Sequence, residues 1–580
     1  MSASDEYSAR WTRLMNRLQA RRAALARPAT ALVSQPEPRT VGSFARGRQL
    51  SAGNFVFAGT LIQAPEHGLW DLTAPDTGFA EEQHGFGWLD DLAAVGDAEA
   101  RKAAQRWLWQ WIERYGAGHG PGWTPELTGR RLIRWITHAL FLLNGKGGAD
   151  SESFLRSLAQ QSLFLSRRWK TSRPGLPRFE ALTGMIYAGL SLEGMEKLVA
   201  PALKALARDC DLQVGESGGI PTRNPEELLE VFTLLTWVAL ALSETGRTPG
   251  HAHWSVIERI APTLRTLRHA DGALARFHGG GRGLEGRLDS ALATSGVKTG
   301  APDGLSMGFA RLSAGRTTVI IDAAPPPRGQ ASANAHASTL AFELTSGRRP
   351  LIVNCGSGES FGPEWRRAGR ATPSHSTLCL DGRSSSRLGQ TGQSRQWLEQ
   401  TPAHVPIEMR QATDGLSFEG GHDGYQQRYG LTHIRKVEMT FDGRGIAGED
   451  TLMTLDNADR ARFDAALDRA KLQGIGYDIR FHLHPDADAS LDMAGTAISL
   501  ALKSGEIWIF RLDGPAELSL EPSVYLEKIR LKPRATKQIV LSGRIMQYAS
   551  RVRWSLAKAQ ETPVGVRDLV QDELDPLADA

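Results

Sequence analysis

Apolar side chains in the first 300 residues recur at helical spacing. In "RKAAQRWLWQWIERY" the residues Trp107, Leu108, Trp111, Ile112 and Tyr115 fall on one face. "GRRLIRWITHALFLL" repeats the pattern with Leu132, Ile133, Ile136 and Leu140. Further helical stretches follow in "SFLRSLAQQSLFLSRRW", "ALTGMIYAGLSLEGMEKLVAPALKALARD", "PEELLEVFTLLTWVALALSE" and "HWSVIERIAPTLRTL". Joints rich in Gly and Pro, such as "HGPGWTP" and "ESGGIPTRNP", separate them. After residue 300 the period becomes two. "TTVIIDAA", "STLAFELTSG", "RPLIVNCG", "KVEMTFDGRG", "YDIRFHLHPDA" and "RVRWSLAKA" are apolar or alternating runs, several of them closed by turn residues.

Many helices of similar length predict an array of helical hairpins or an α/α toroid, with no fixed-length repeat to favour a solenoid. Many strands without intervening helices predict an antiparallel β-sandwich. The fold class expected is therefore multidomain: an N-terminal α/α toroid followed by a C-terminal antiparallel β-sandwich. The boundaries read as a basic helix or arm at 1–50, the toroid at 51–300, the sandwich at 301–560 and a tail at 561–580. "DAAPPPRGQASANAHAS" is expected as a long functional loop inside the sandwich.

Composition narrows the function classes. The chain has 580 residues, 41% hydrophobic and 23% charged, with a formal net charge of +4. Acids and bases are interspersed, so a nucleic-acid partner is not expected. No apolar run is long enough for a transmembrane segment. The three cysteines are widely spaced and imply neither a disulfide framework nor a thiolate cluster. The first thirty residues lack the apolar core of a secretory signal, so the cytoplasm is the default location, with periplasm or envelope as the alternative. The sequence is silent on oligomeric state.

Candidate chemistry is scattered. "EEQHGFGWLDDL" places His84 and Trp88 around two glycines, a setting for sugar stacking, although core packing is the commoner use of such aromatics. "ESGGIPTRNPEELLEV" offers Arg223 as a carboxylate clamp, while Asn224 before Pro225 reads as a helix cap or a ligand contact. Tyr187 in "GMIYAGL" sits among small and apolar residues and fits the core better than catalysis. The sheet half carries His336, His375, His422, His433, His482 and His484, with Asn354 inside a strand-like run. "HDGYQQRYGLTHIRK" adds Tyr425 and Arg428 beside His422, a phenol, a guanidinium and an imidazole able to neutralise an acidic sugar and move a proton. No nucleophile elbow, Walker loop, dinucleotide fingerprint or HExxH motif is present, and no organic cofactor is expected.

"AHASTLAFELTSGRRPLIVNCGSG" followed by "SHSTLCLDGRSS" resembles the C-terminal sandwich signature of the heparinase II/III family. "HGFGWLDDL", "GGIPTRNP" and "HDGY…HIRK" fit a bacterial branch of it, so the resemblance covers roughly residues 50–560. It implies a polysaccharide lyase that neutralises a uronate carboxylate, abstracts the C5 proton and expels the O4 leaving group. An acidic polysaccharide or oligosaccharide is the implied partner. It also implies zinc in some members, held at positions matching His336, Asn354 and His375. This chain departs from the pattern. Asn354 replaces an aspartate, Asn334 replaces a catalytic histidine, and Leu228 stands near the expected helical-domain tyrosine. The Asn-His pair of that domain has no match in "RFEALTGMIYAGL". The leading expectation is a lyase-like enzyme using His336, His422, Tyr425 and Tyr187 for catalysis and Arg223, Asn224, His84, Trp88 and Arg428 for binding. The alternatives are a catalytically lapsed glycan-binding or envelope-associated scaffold, or a glycoside hydrolase on the same fold.

Overall fold

The computed structural model describes residues 3–25, 29–390, 395–559 and 568. The chain divides into two compact units. One comprises residues 1–216, 229–261 and 289–298; the other comprises 217–228, 262–288 and 299–580.

The first unit is helical. Ala98–Tyr115 opens on Asp97, whose side chain accepts from the Ala100 N–H, and Pro125–Thr137 opens on Thr124 with Pro125 in its first turn. Trp107, Leu108 and Trp111 are buried, as their helical spacing requires. Pro125–Thr137 and Leu176–Ser191 cross where two glycines meet. A Cβ on Gly184 would lie 2.5 Å from the Gly129 Cα, so any larger residue would force the helices apart. The basic N-terminal stretch forms the helix Ala3–Ala24 and packs into this unit: Gln160 donates to the Ala20 carbonyl, and Arg168 to Asn16. It is thus part of the helical body, not an arm. A hairpin of Asn54–Phe57 and Thr60–Gln63, absent from the helical pattern, buries Phe55 and Phe57.

The second unit carries two eight-stranded sheets. One runs in the order Ile407–Gln411, Gly415–Tyr425, Leu431–Thr440, Gly445–Met453, Ala549–Lys558, Ile507–Asp513, Ala497–Leu502, Ala487–Asp492. The other runs Glu517–Tyr525, Arg534–Ile545, Ile475–Leu483, Arg349–Val353, Phe342–Ser346, Thr317–Asp322, Phe309–Ala314, with Leu378–Leu380 also paired to Ile475–Leu483. The sheets share one core. Trp554 of the first stacks on Phe342 of the second at 5.9 Å and meets Phe481 edge-on at 4.8 Å. Gly448 makes room for that indole, since a Cβ there would sit 2.1 Å from the Trp554 ring.

Two expectations need correction. The sandwich is not free of helices: "NADRARFDAALDR" forms Asn457–Arg469, burying only Asp459, Phe463 and Ala466. That thin apolar stripe gives weak helical periodicity and explains why the pattern missed it. Residues 217–228 and 262–288, expected within the helical half, cluster with the sandwich unit. The 561–580 tail lies outside the described residues, apart from Asp568, which bridges Arg349 at 2.6 and 2.7 Å.

Candidate functional site

Arg223 lies in the sandwich unit and adopts a left-handed φ of +52°. A guanidinium has five N–H donors, and all of them are used. They go to the carbonyls of Met307 (3.0 Å), Ala324 (3.1 Å), Pro325 (2.9 Å) and Gly308 (2.8 Å), and to Asp322 Oδ1 (2.6 Å). The ring of Phe309 covers its carbon at 4.7 Å. A substrate carboxylate would have to displace one of these partners. Asn224 caps the following helix, its Oδ1 accepting from the N–H groups of Glu226 (3.0 Å) and Glu227 (3.2 Å).

Asp322 carries the network inward. Burial opposes its charge, but Arg223, His278 and Ser338 hold its carboxyl well below the usual range. Ser338 donates to Asp322 Oδ2 at 2.6 Å. His278 Nε2 lies 3.4 Å from the same oxygen, a long contact, while His278 Nδ1 accepts from the His336 N–H at 3.2 Å.

His336 sits in a loop ahead of Phe342–Ser346, and His375 in a loop before Leu378–Leu380. Their tautomers follow from their neighbours. The Gly279 N–H donates to His336 Nε2 at 3.1 Å, so the proton of His336 is on Nδ1. That proton faces His375 Nε2 at 3.0 Å, and His375 Nδ1 donates to the Ala371 carbonyl at 2.8 Å. Burial pushes His375 down to about 4 and His336 well below its ordinary value, aided by His375, His278, Arg370 and Lys528. Both rings are neutral and fully occupied.

Zinc needs several lone pairs converging on one point. His336 and His375 aim at each other, and Asn354 Oδ1 accepts from the Ser376 N–H at 3.0 Å. Among the described residues no group of three or more His, Cys, Asp or Glu is arranged to hold a metal. The nearby cations Arg370 and Lys528 act against a dication as well. The residues at 336, 354 and 375 therefore do not fit the ion.

His422 belongs to a separate cluster. Its Nδ1 accepts from the Gly424 N–H (3.1 Å), so its Nε2 donates to His433 Nδ1 (3.2 Å), and His433 Nε2 reaches Asp450 at 2.7 Å. Arg435 grips Asp450 at 2.8 and 3.1 Å, and the Trp554 N–H adds a contact at 3.0 Å. Tyr425 is buried and donates to the Leu378 carbonyl at 2.9 Å; burial raises its phenol well above its ordinary value. Arg428 does not join them. It is exposed on the short helix Gln426–Tyr429.

In the helical unit, His84 and Trp88 are buried. Trp111 donates to His84 Nδ1 at 3.1 Å, and burial followed by the charge of Arg131 pushes this imidazole down to about 3. Trp88 donates to the Gln83 carbonyl at 2.9 Å and packs on Phe86 and Trp107, leaving no face for a sugar. Tyr187 is buried, 3.4 Å from the Trp237 carbonyl, with its phenol raised by burial.

Three members of the central network escaped sequence reading: His278, Asp322 and Glu343. Glu343 accepts from the Arg276 N–H (3.0 Å) and faces His269 (3.3 Å). Burial opposes its charge, yet these partners hold it at about 2. The "RFHGGG" run was the available signal for His278, since consecutive glycines mark a close backbone approach.

Comparison with known proteins bears on these clusters. Residues 296–555 match the family model described as heparinase II/III-like, C-terminal. The chain is 30% identical over 553 residues to FtsZ-localized protein C of Caulobacter vibrioides, covering 93% of this chain and 92% of that protein. A heparinase III crystal structure superposes with a TM-score of 0.66 at 12% identity, over 96% of this chain and 91% of that one. A mutant heparan sulfate lyase from Pedobacter heparinus gives 0.58 at 15% identity, over 96% and 89%. At such identities the two solved structures establish the shared fold, a helical toroid plus a β-sandwich.

Proposed function

This chain belongs to the heparinase II/III-like family, and we propose that it keeps the lyase fold as a non-catalytic scaffold that localises with FtsZ. The observation that carries this reading is the saturation of Arg223. Elimination next to a uronate needs a donor free to neutralise the carboxylate and a base able to reach the C5 proton. Here the guanidinium spends every N–H on the protein itself, and His336 is buried with both ring nitrogens bonded. Tyr425 and His422 are buried and bonded too. The departures at Asn334 and Asn354 agree with it. The partner is taken from the name of the relative from Caulobacter vibrioides, which is similar along nearly its whole length.

The rival reading, a working lyase on an acidic glycan, is favoured by the superposition on heparinase III. One pair of experiments separates them. The purified chain is incubated with heparan sulfate, alginate and glucuronan while the ultraviolet absorption of an unsaturated uronate is followed. A fluorescent fusion is imaged together with FtsZ in a bacterium that carries this protein. No absorbance gain with co-localisation is the expected result. Turnover abolished by Arg223→Lys in a protein that stays folded overturns the proposal and restores the enzyme.

A further inference from the structure

One cavity in the sandwich unit is unlike every cluster above. It measures about 690 Å³, and five arginines line it: Arg367, Arg370, Arg383, Arg387 and Arg395. No Asp or Glu appears among its described lining residues, and no aromatic ring. Elsewhere in this unit the buried guanidinium groups have carboxylates: Arg223 has Asp322, Arg435 has Asp450, and Arg276 lies 3.4 Å from Glu343. Of the cavity's five arginines Arg370 is buried and the other four are exposed, and among the described residues the nearest ion pair any of them makes is Arg383 with Asp381, at 3.9 Å and outside the lining. Arg370 is buried and among the described residues donates to the carbonyls of Ala335 and Ser332, both at 2.8 Å. Burial, followed by the charge of Arg366, holds it down at about 10 against a smaller opposing pull from Glu359. The same wall contains Ser386, a buried hydroxyl with no hydrogen-bond partner among the described residues.

Like charges gathered around a cavity raise one another's energy, and a bound anion removes that cost. Guanidinium forks match tetrahedral oxyanions, which offer several equivalent acceptor oxygens. Five of them exceed what one phosphate neutralises, and the volume lies within the usual range for small-molecule sites of about 300–1,000 Å³. Without an aromatic face the wall has nothing on which a base or sugar ring could stack. We propose that this cavity binds a compact polyphosphate, a small molecule with two or more phosphate groups close together, held by Arg367, Arg383, Arg387 and Arg395. The site stands whether or not the fold retains catalysis.

Calorimetric titration of the full chain with inorganic tripolyphosphate tests this, at low and at physiological salt. Saturable one-site binding that weakens with salt is expected. Arg383→Ala combined with Arg387→Ala should weaken it at least about tenfold, because charge-assisted bonds are lost. Both side chains are exposed, so the fold should survive. Arg410→Ala, an exposed arginine outside the cavity, should bind like the parent. No binding by the parent chain overturns the proposal, as does equal weakening by Arg410→Ala. A heparan sulfate oligosaccharide binding where tripolyphosphate does not would assign the cavity to sulfated sugars and overturn it equally.

Discussion

The sandwich unit contains two buried clusters with the same parts, an aspartate, an arginine and a chain of histidines, assembled in opposite ways. In one, His422 faces His433 and Arg435 faces Asp450 as direct cross-strand partners. Residues two apart on a strand share a face, so a single stretch of sheet supplies the whole set. In the other, Arg223, His278, Asp322, His336 and His375 come from five separate places in the chain. Two of these residues take left-handed backbone, Arg223 at +52° and His278 at +48°, and His278 Nε2 comes no closer to Asp322 than 3.4 Å. Left-handed backbone outside glycine costs on the order of 1–3 kcal/mol per residue and gathers at working sites. The strand-built cluster reads as architecture. The loop-built one has the strain of a site and the saturation of a core.

The largest effect should come from the strand-built cluster. Asp450→Asn leaves Arg435, wholly buried, without its countercharge and should cost about 3–5 kcal/mol. Urea unfolding measures it. Arg223→Lys is the matching change in the loop-built cluster. An ammonium cannot reproduce five fixed donors, so about 2–4 kcal/mol should be lost. If Arg223→Lys proved the more damaging, the loop network would be the principal structural element and the contrast would fail.

Acidification sharpens the comparison further, because both clusters hold neutral imidazoles. His375 is pushed down to about 4 from 6.5, and His422 well below 6.5. The unfolded chain therefore binds protons that the folded chain refuses. Stability is complete above pH ~6.5 and falls as the pH drops toward 4, by up to ~1.4 kcal/mol per pH unit for each such histidine. Below pH ~4 the lowered carboxyls of Asp322 and Asp450 add their own loss. His375→Gln and His422→Gln should each reduce the steepness between pH 6.5 and 5 by about one proton. An unchanged slope in either would mean that its imidazole is charged in the folded protein.

How far the sequence foretold this depended on how each feature is built. Periodicity is local, so the change from helical to alternating spacing near residue 300 marked the two architectures, and the loop before His336 was visible from its prolines. The pairing of His422 with His433 lies within one hairpin, eleven residues apart, yet in sequence both look like candidate chemistry because sequence does not report burial. The partnership of Arg223 with Asp322 was out of reach. It joins positions ninety-nine residues apart, and only the folded chain brings the carbonyls of Met307, Gly308, Ala324 and Pro325 around one guanidinium. Asn224 was legible as a cap because the cap and its two N–H donors are neighbours in sequence.

The smallest effect separates nearness in sequence from membership of a cluster. Arg428 stands six residues after His422, and that nearness alone groups the two in sequence. In the structure it is exposed, its guanidinium 5.6 Å from the Tyr429 ring, and it shares no bond with His422, His433 or Asp450. A surface cation resting over an aromatic ring at this distance contributes little, since water and salt screen it. Arg428→Ala should therefore change unfolding stability by no more than about 0.5 kcal/mol and leave the acid slope untouched. A loss approaching that of Asp450→Asn would mean that Arg428 turns inward to the histidine pair, and the strand-built cluster would then have an opening to its surface.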